Sequence, residues 1–562
     1  MVAGLSAQGS LVSQLEVIAV GIPVLGAGAI GLASCFALDL RTRHGKAAQT
    51  RTTTFRRIAL AASVLTFGAV LCLTVVDWVL AARGITVGGG LGASFALLTS
   101  AVWLPAVFVG RHCDHKRPGL LYGFLLLLES AFLGVFVVDD AVLFCLSLEA
   151  STLLLYLLIS GWGGPESDRI ARKFLLFNLA ADMLVLIALL GAVLAAGRMS
   201  AESVTGSSHG ISYSISALTQ DVPRLASDDI GGQEYWKHAR RWLLTALILG
   251  LALKMPLAPF HTWFAPAVAE GPLCVGLAML GAGLRVSTYA FVRFAGPLCG
   301  DLGAWSDLLV GLVVLGALHQ SLLALAHSDM KKMTACASLS QASIAAAGFF
   351  SQLPAGTTGA VLLTIAGGLA STVLLFSFGF LEMQFHARDL SVIGGIWRRL
   401  PQVSCALLLA VLSLVGIPGL CGFTGLFPTL GGLFEFGWLS ALLAMIAGLI
   451  TAWALFWMLE RIVFGPLRLP QSAAPADGMV AEAFTVSDVW EIASADPLSS
   501  PTVAAGGAAS LDPAGGDGPG DLRRAEVLII APLVAGIILL GLRPQAIVDW
   551  ISASLQIGSL SP

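Results

Sequence analysis

Three side chains carry a formal charge inside stretches otherwise suited to lipid: Glu149 in FCLSLEASTLLLYLLISGWG, Lys254 in LILGLALKMPLAPFHTWF and Arg285 in AMLGAGLRVSTYAFVRF. A charge inside a membrane span costs several kcal/mol on most scales, so each asks for a partner, a water cavity or a task. In a low-dielectric interior, burial disfavours the charged form of a group and a nearby opposite charge restores it. An ammonium poised between these two influences takes up and releases protons. Glu129, Asp182, His319 and His327 are further titratable candidates on neighbouring apolar runs.

Lys254 is followed by Pro256 and Pro259. Neither supplies a helix N–H, so the helix must break where the charge sits, freeing carbonyls for ions or water. A second break, Gly416-Ile417-Pro418-Gly419, stands in the corresponding place of the later half. Paired interrupted helices are a sequence mark of membrane proteins built from inverted repeats.

The elements that must hold these residues are membrane helices. The chain has 562 residues, 57% hydrophobic and 12% charged, against roughly a quarter charged in ordinary soluble domains. Apolar runs predict helices at about 12–39, 58–81, 91–110, 118–138, 140–162, 171–196, 241–264, 271–292, 305–326, 330–350, 357–384, 402–426, 436–460 and 525–543. The fold class is an all-α membrane protein of about 14 transmembrane helices, with two inverted five-helix repeats whose helices seven and twelve are broken. The predicted division is 1–110 for helices one to three, 118–295 for the first repeat and 304–464 for the second. An acidic linker at 469–522, without Lys or Arg, and a last helix within 525–562 complete it. Residues 197–240 form a polar outside loop.

Lys and Arg set orientation: odd-numbered loops hold 21 and even-numbered loops with the C-terminus hold eight, which puts both termini on the outer side. The net charge of −3 forms no basic stripe, so nucleic acid is not an expected partner. The nine cysteines show no C-x-x-C and no phosphate-binding glycine loop is present, so metal and nucleotide sites are not expected in this chain. The first apolar stretch has no Lys or Arg before residue 41 and reads as a retained helix.

Across about residues 88–550 the chain resembles the antiporter-like, proton-translocating subunits of respiratory NADH:quinone oxidoreductase (complex I), closest to subunit M; the family includes subunits of Mrp-type cation/proton antiporters. The resemblance rests on LGVFVVDDAVLFCLSLEASTLLLYLLISGWGG with ARKFLLF, LALKMPLAPFHTWFAPAVAEGP, ALAHSDMKKMTACASLS, GIPGLCGFTGLF and DLRRAEVLIIAPLVAGIILLGLRPQAIVDW. An end after the fourteenth span favours an M-like or Mrp D-like chain over one with a long lateral helix.

The resemblance implies that Glu149 and Lys254 are the pair whose coupling drives proton uptake. It also implies that Arg285 stands where subunit M has a proton-relaying lysine. Arginine stays protonated and cannot hand the proton on. The family's second-half titratable groups are replaced by Leu426, Gln341 and a glycine near Gly367 and Gly368, while Asp182 follows the subunit L pattern. His319 and His327, eight residues apart on span nine, offer another route.

By the same resemblance the chain carries no redox site, and NAD, FMN, iron–sulfur clusters and quinone belong to partner subunits. The expected partners are other membrane subunits and the lipid bilayer, and the expected location is a bacterial inner membrane. Three functions follow: a proton-translocating subunit of an NADH–quinone oxidoreductase, a subunit of an Mrp-type antiporter or ion-coupled uptake complex, or a structural subunit that does not pump.

Overall fold

The computed structural model describes residues 17–31, 45–113, 117–202, 213–219, 230–300, 302–466, 521–545 and 548–550. Among these residues regular structure is helical, with no strand beyond two isolated bridges. In chain order the helices are α1 (Val17–Gly31), α2 (Gly45–Ala82), α3 (Gly90–Val109), α4 (Pro118–Val137), α5 (Ala141–Trp162) and α6 (Ser167–Glu202). Then come α7 (Ile230–Lys254, resuming at Phe264–Glu270), α8 (Leu273–Gly281, continuing through the turn Gly283–Arg285 to Cys299) and α9 (Ala304–Ala326). The chain continues with α10 (Met330–Phe350), α11 (Pro354–Phe385), α12 (Pro401–Val415, resuming at Cys421–Phe436), α13 (Trp438–Leu459) and α14 (Arg524–Leu542).

Among the described residues eleven helices are long and apolar enough to cross a membrane. The expected first, seventh and twelfth spans differ in kind: α1 and the first part of α12 are short, and α7 begins in the polar stretch IGGQEYWKHARR. Helix α2 starts at Gly45 rather than near 58, because the Lys, Arg, Gln and Ala residues ahead of the apolar run are themselves tolerant of helix. The expected linker lies outside the described residues up to position 520, as do parts of the 197–240 loop.

Burial sorts the helices into interior and rim. The most apolar stretches of α10 and α11 are 100% buried and those of α8 and α3 are 94% and 89% buried, whereas α13 and α14 are only 33% and 28% buried. The large outward residues of those rim helices are apolar, Trp438, Leu449 and Trp453 on α13 and Leu528 and Leu539 on α14 among them, as a lipid face requires. Helices α11 and α12 cross on small residues: a Cβ at Gly359 would lie 2.4 Å from Thr429 N, and one at Gly425 would lie 2.2 Å from Leu363 N. Helix α14 is tied to the turn after α3 by the Arg111–Glu526 ion pair at 2.6 Å, and Asp521 just before it accepts from Gln402 N at the start of α12.

Both expected breaks are present. Helix α7 stops at Lys254; Leu257 N reaches back to Ala252 O, and the chain makes a short 3-10 turn, Phe260–Trp263, before resuming. Helix α12 stops at Val415, and Gly416 turns the chain with φ +85°. Position 418 is proline, so Leu414 O lacks its usual backbone donor, and Nε2 of Gln341 donates to it instead at 2.7 Å.

Two loop clasps match in register. Asp140 caps α5 by accepting from Val142 N and Leu143 N; Asp329 caps α10 by accepting from Lys331 N and Lys332 N. Ala141 N donates to Tyr213 O and Ile215 N to Asp139 O, just as Met330 N donates to Arg388 O and Leu390 N to Ser328 O.

Candidate functional site

Lys254 is the last residue of α7 before the break and is 7% exposed. Its ammonium donates to Oδ1 of Asp182 on α6 at 2.7 Å and to Oγ1 of Thr152 on α5 at 2.8 Å. The Thr152 hydroxyl in turn donates to Oδ2 of Asp182 at 2.6 Å, which closes a ring of three hydrogen bonds. Asp182 is 3% exposed. A buried ion pair survives in so dry a place only when its remaining donors and acceptors are satisfied, and the threonine supplies that third member.

Glu149 lies one turn before Thr152 on α5 and is half-buried. Among the described residues it makes no hydrogen bond or ion pair, although its charge acts on Asp182. The direct partner of Lys254 is therefore Asp182, with Glu149 at the edge of the ring. Beside the lysine is a cavity of about 20 Å³, lined among others by Ser151, Asn178, Lys254 and Trp263, which is room for about one water molecule. The indole Nε1 of Trp263 is buried there without a hydrogen-bond partner among the described residues.

Arg285 is 1% exposed in the middle of α8, with Ser371 Oγ at 3.4 Å from Nη2. Glu129 is fully buried on α4 and accepts from Ser63 of α2 at 2.9 Å, away from the Lys254 ring. His319 is exposed on α9 and its ring meets that of His261, at the α7 break, 4.8 Å between centroids. His327 lies past the end of α9. Burial, with Lys332 nearby, holds its imidazole below the ordinary range. The two histidines of the expected second route thus sit on different structures.

Thr152 and His261 were not singled out in the sequence. The signal for Thr152 was its place three residues after Glu149, and the signal for His261 was its place inside the K-x-P-x-x-P-x-H-T-W stretch. In the second half, a Cβ at Gly416 would lie 2.9 Å from Leu426 Cδ2, so that break is packed with a hydrocarbon side chain. Among the described residues no three His, Cys, Asp or Glu side chains gather as a metal set.

The arrangement can hold a proton on Lys254 through two acceptors and release it when either is disturbed. The sequence pattern of the family described as "NADH:quinone oxidoreductase/Mrp antiporter, TM" matches residues 138–451. NADH-quinone oxidoreductase subunit M of Rhodobacter capsulatus is 27% identical over 469 residues, covering 83% of this chain and 80% of the relative. A chain of respiratory complex I from Thermus thermophilus has the same fold, with TM-score 0.70, 24% identity and coverage of 96% of this chain and 99% of that one. A chain of the Mrp complex from Dietzia is similar at TM-score 0.67 and 21% identity, over 98% and 97% of the two chains.

Proposed function

Because the chain belongs to the membrane-subunit family of NADH:quinone oxidoreductases and Mrp antiporters, we propose that it translocates protons as an M-like subunit of a redox-driven complex in a bacterial inner membrane. The observation that carries this reading is the buried ring of Lys254, Thr152 and Asp182 at a broken helix. Electron transfer in partner subunits, which hold the NAD, FMN, iron–sulfur and quinone sites, changes the field at Glu149. That change loosens or tightens the grip of Asp182 on Lys254, and the proton is released or taken up.

The division into two inverted repeats, 118–295 and 304–464, is part of the proposal. Its support is the matched aspartate caps and clasps, together with the π turns Phe291–Ala295 and Glu460–Phe464 that stand in like places on α8 and α13. Arg293 stacks on Tyr289 and Arg461 on Trp457, each four residues apart. Both termini belong on the outer side by the loop-charge count.

A mild-detergent purification of the tagged chain from its own cells tests the assembly. Flavin, iron–sulfur and quinone-channel subunits among the copurifying proteins support the redox reading. Membrane antiporter subunits alone replace it with Mrp-type antiport, which the same ring would serve because it contains no redox group. Lys254→Met and Glu149→Gln, assembled but strongly reduced in proton transport, support transport over a purely structural role.

A further inference from the structure

Arg285 is a buried cation with little to hold it. Its guanidinium has five N–H donors, yet among the described residues only Nη2 finds an acceptor, Ser371 Oγ at 3.4 Å, and Nε has none. Helices α10 and α11 pack against the turn Gly283–Arg285, and neither 330–350 nor 354–381 contains an Asp or Glu. The bases on α10, Lys331 and Lys332, stand at its start, roughly 15 Å along the helix from Gln341. The acid of α11, Glu382, stands near its far end, roughly 22 Å along the helix from Gly367, and pairs with Lys331 at 2.6 Å, so no counter-charge reaches the guanidinium from these two helices.

The room the guanidinium occupies has an identifiable origin. A Cβ at Gly367 on α11 would lie 3.3 Å from both Nη1 and Nη2 of Arg285 and 2.8 Å from Oε1 of Gln341. Any side chain at 367 meets the guanidinium and the amide together. Gln341 Oε1 is itself buried without a partner among the described residues, while Nε2 is committed to Leu414 O at the second break. Past it, Leu426 packs over Gly416.

We propose that Arg285, Gly367 and Gln341 act as one unit, a fixed positive charge seated in the volume of the absent side chain at 367, and that this unit stops protons passing from the Lys254 site to the second broken helix. The proposal rests on the reading of Lys254 as the transport site. An arginine stays protonated and does not pass its proton on. An excess proton approaching an unneutralised charge in a low-dielectric interior is repelled. Gln341 has no proton to exchange in the working pH range. Gly367 is the positioning residue of the unit.

The test is a double-substitution cycle in inverted membrane vesicles containing the whole complex, with proton transport driven by the partners' electron flow. Gly367→His alone lowers transport at least about fivefold, the size of coupling that touching residues show, because imidazole and guanidinium compete for one volume. Joined with Arg285→Lys, which frees that volume, it returns to within about twofold of the parent. The double variant also gains a pH dependence in the ordinary histidine range, about 6–7, which Arg285→Lys alone lacks. Independent effects of the two substitutions overturn the unit, and a double variant without the new pH dependence overturns the barrier. Should Gly367→His fail to accumulate in the membrane, Gly367→Ala with and without Arg285→Lys measures the same coupling, since its Cβ meets the same atoms. Lys254→Met is run alongside: normal transport there removes the reading beneath the proposal, whereas a transport-dead Lys254→Met with an uncoupled cycle removes the proposal alone.

Discussion

Lys254 Nζ stands 2.7 Å from Asp182 Oδ1, so the cation at the first broken helix is held by α6 and not directly by Glu149 on α5. This divides the work between two acids. On the proposed reading Asp182 sets where the ammonium rests, and the half-buried Glu149 changes its field without breaking a bond.

Replacing the Asp182 carboxylate by a neutral amide leaves a buried ammonium without its counter-charge. Asp182→Asn is expected to destabilise the assembled subunit by about 3–5 kcal/mol. Pairing it with Lys254→Met recovers most of that loss while leaving transport dead. Thermal unfolding of the purified complex measures the first effect and vesicle proton uptake the second.

Thr152→Val keeps the shape of the side chain and deletes the hydroxyl that both accepts from Lys254 and donates to Asp182. A lost buried hydrogen bond of this kind is worth about 1 kcal/mol, so transport is expected to fall about fivefold with normal assembly, and Thr152→Ser to restore it. Unchanged transport in the valine variant would show that the hydroxyl only packs.

Gly416 turns the second broken helix at φ +85°, against Leu426. Gly416→Ala is expected to cost about 1–2 kcal/mol through the left-handed conformation, with further loss from contact with Leu426. The melting temperature of the complex reads this, and no change would mean that the break can relax.

Asp139 lies between α4 and α5, outside the spans. Burial alone would push its carboxyl up, but hydrogen bonds from Ser214 and Ser216 and the Arg293 guanidinium at 2.8 Å outweigh it and hold the group below the ordinary carboxylate range. With the folded value below the unfolded one, its stabilisation is whole above about pH 3.9 and fades as the pH falls through the lowered value. Asp139→Asn should therefore lower the melting temperature at pH 7 and flatten the acid limb of the stability curve. A variant whose acid limb stays as steep as the parent's would clear Asp139 of that role.

Much of this was legible in the residues. Proline lacks an N–H wherever it stands, so the breaks after Lys254 and Val415 could be read from the chain alone. The apolar runs set the helices, and only their polar ends drifted, as at Gly45. Partners across helices were less legible. Glu149 drew attention because a carboxylate in an apolar run is conspicuous, while Thr152, which makes the bond, is an ordinary residue in a membrane helix. The eight-residue spacing of His319 and His327 suggested one face, but α9 ends at Ala326 and the ring that meets His319 comes from the α7 break. The volume shared by Arg285 and Gly367 is visible only when α8 and α11 are side by side.

The two clasps, 139–141 with 213–215 and 328–330 with 388–390, are separated by the crossings α5 to α9. On the proposed topology each of these five helices crosses once, and an odd number of crossings puts the clasps on opposite faces of the bilayer. The rim opposite the first clasp is tied as well: Gly164 N donates to Glu270 O at 2.8 Å, and Arg388 of the second clasp reaches the Glu270 carboxylate at 3.8 Å. A movement of the second clasp is therefore handed through Glu270 to the turn that joins α7 and α8, where it meets the buried interior helices α8, α10 and α11.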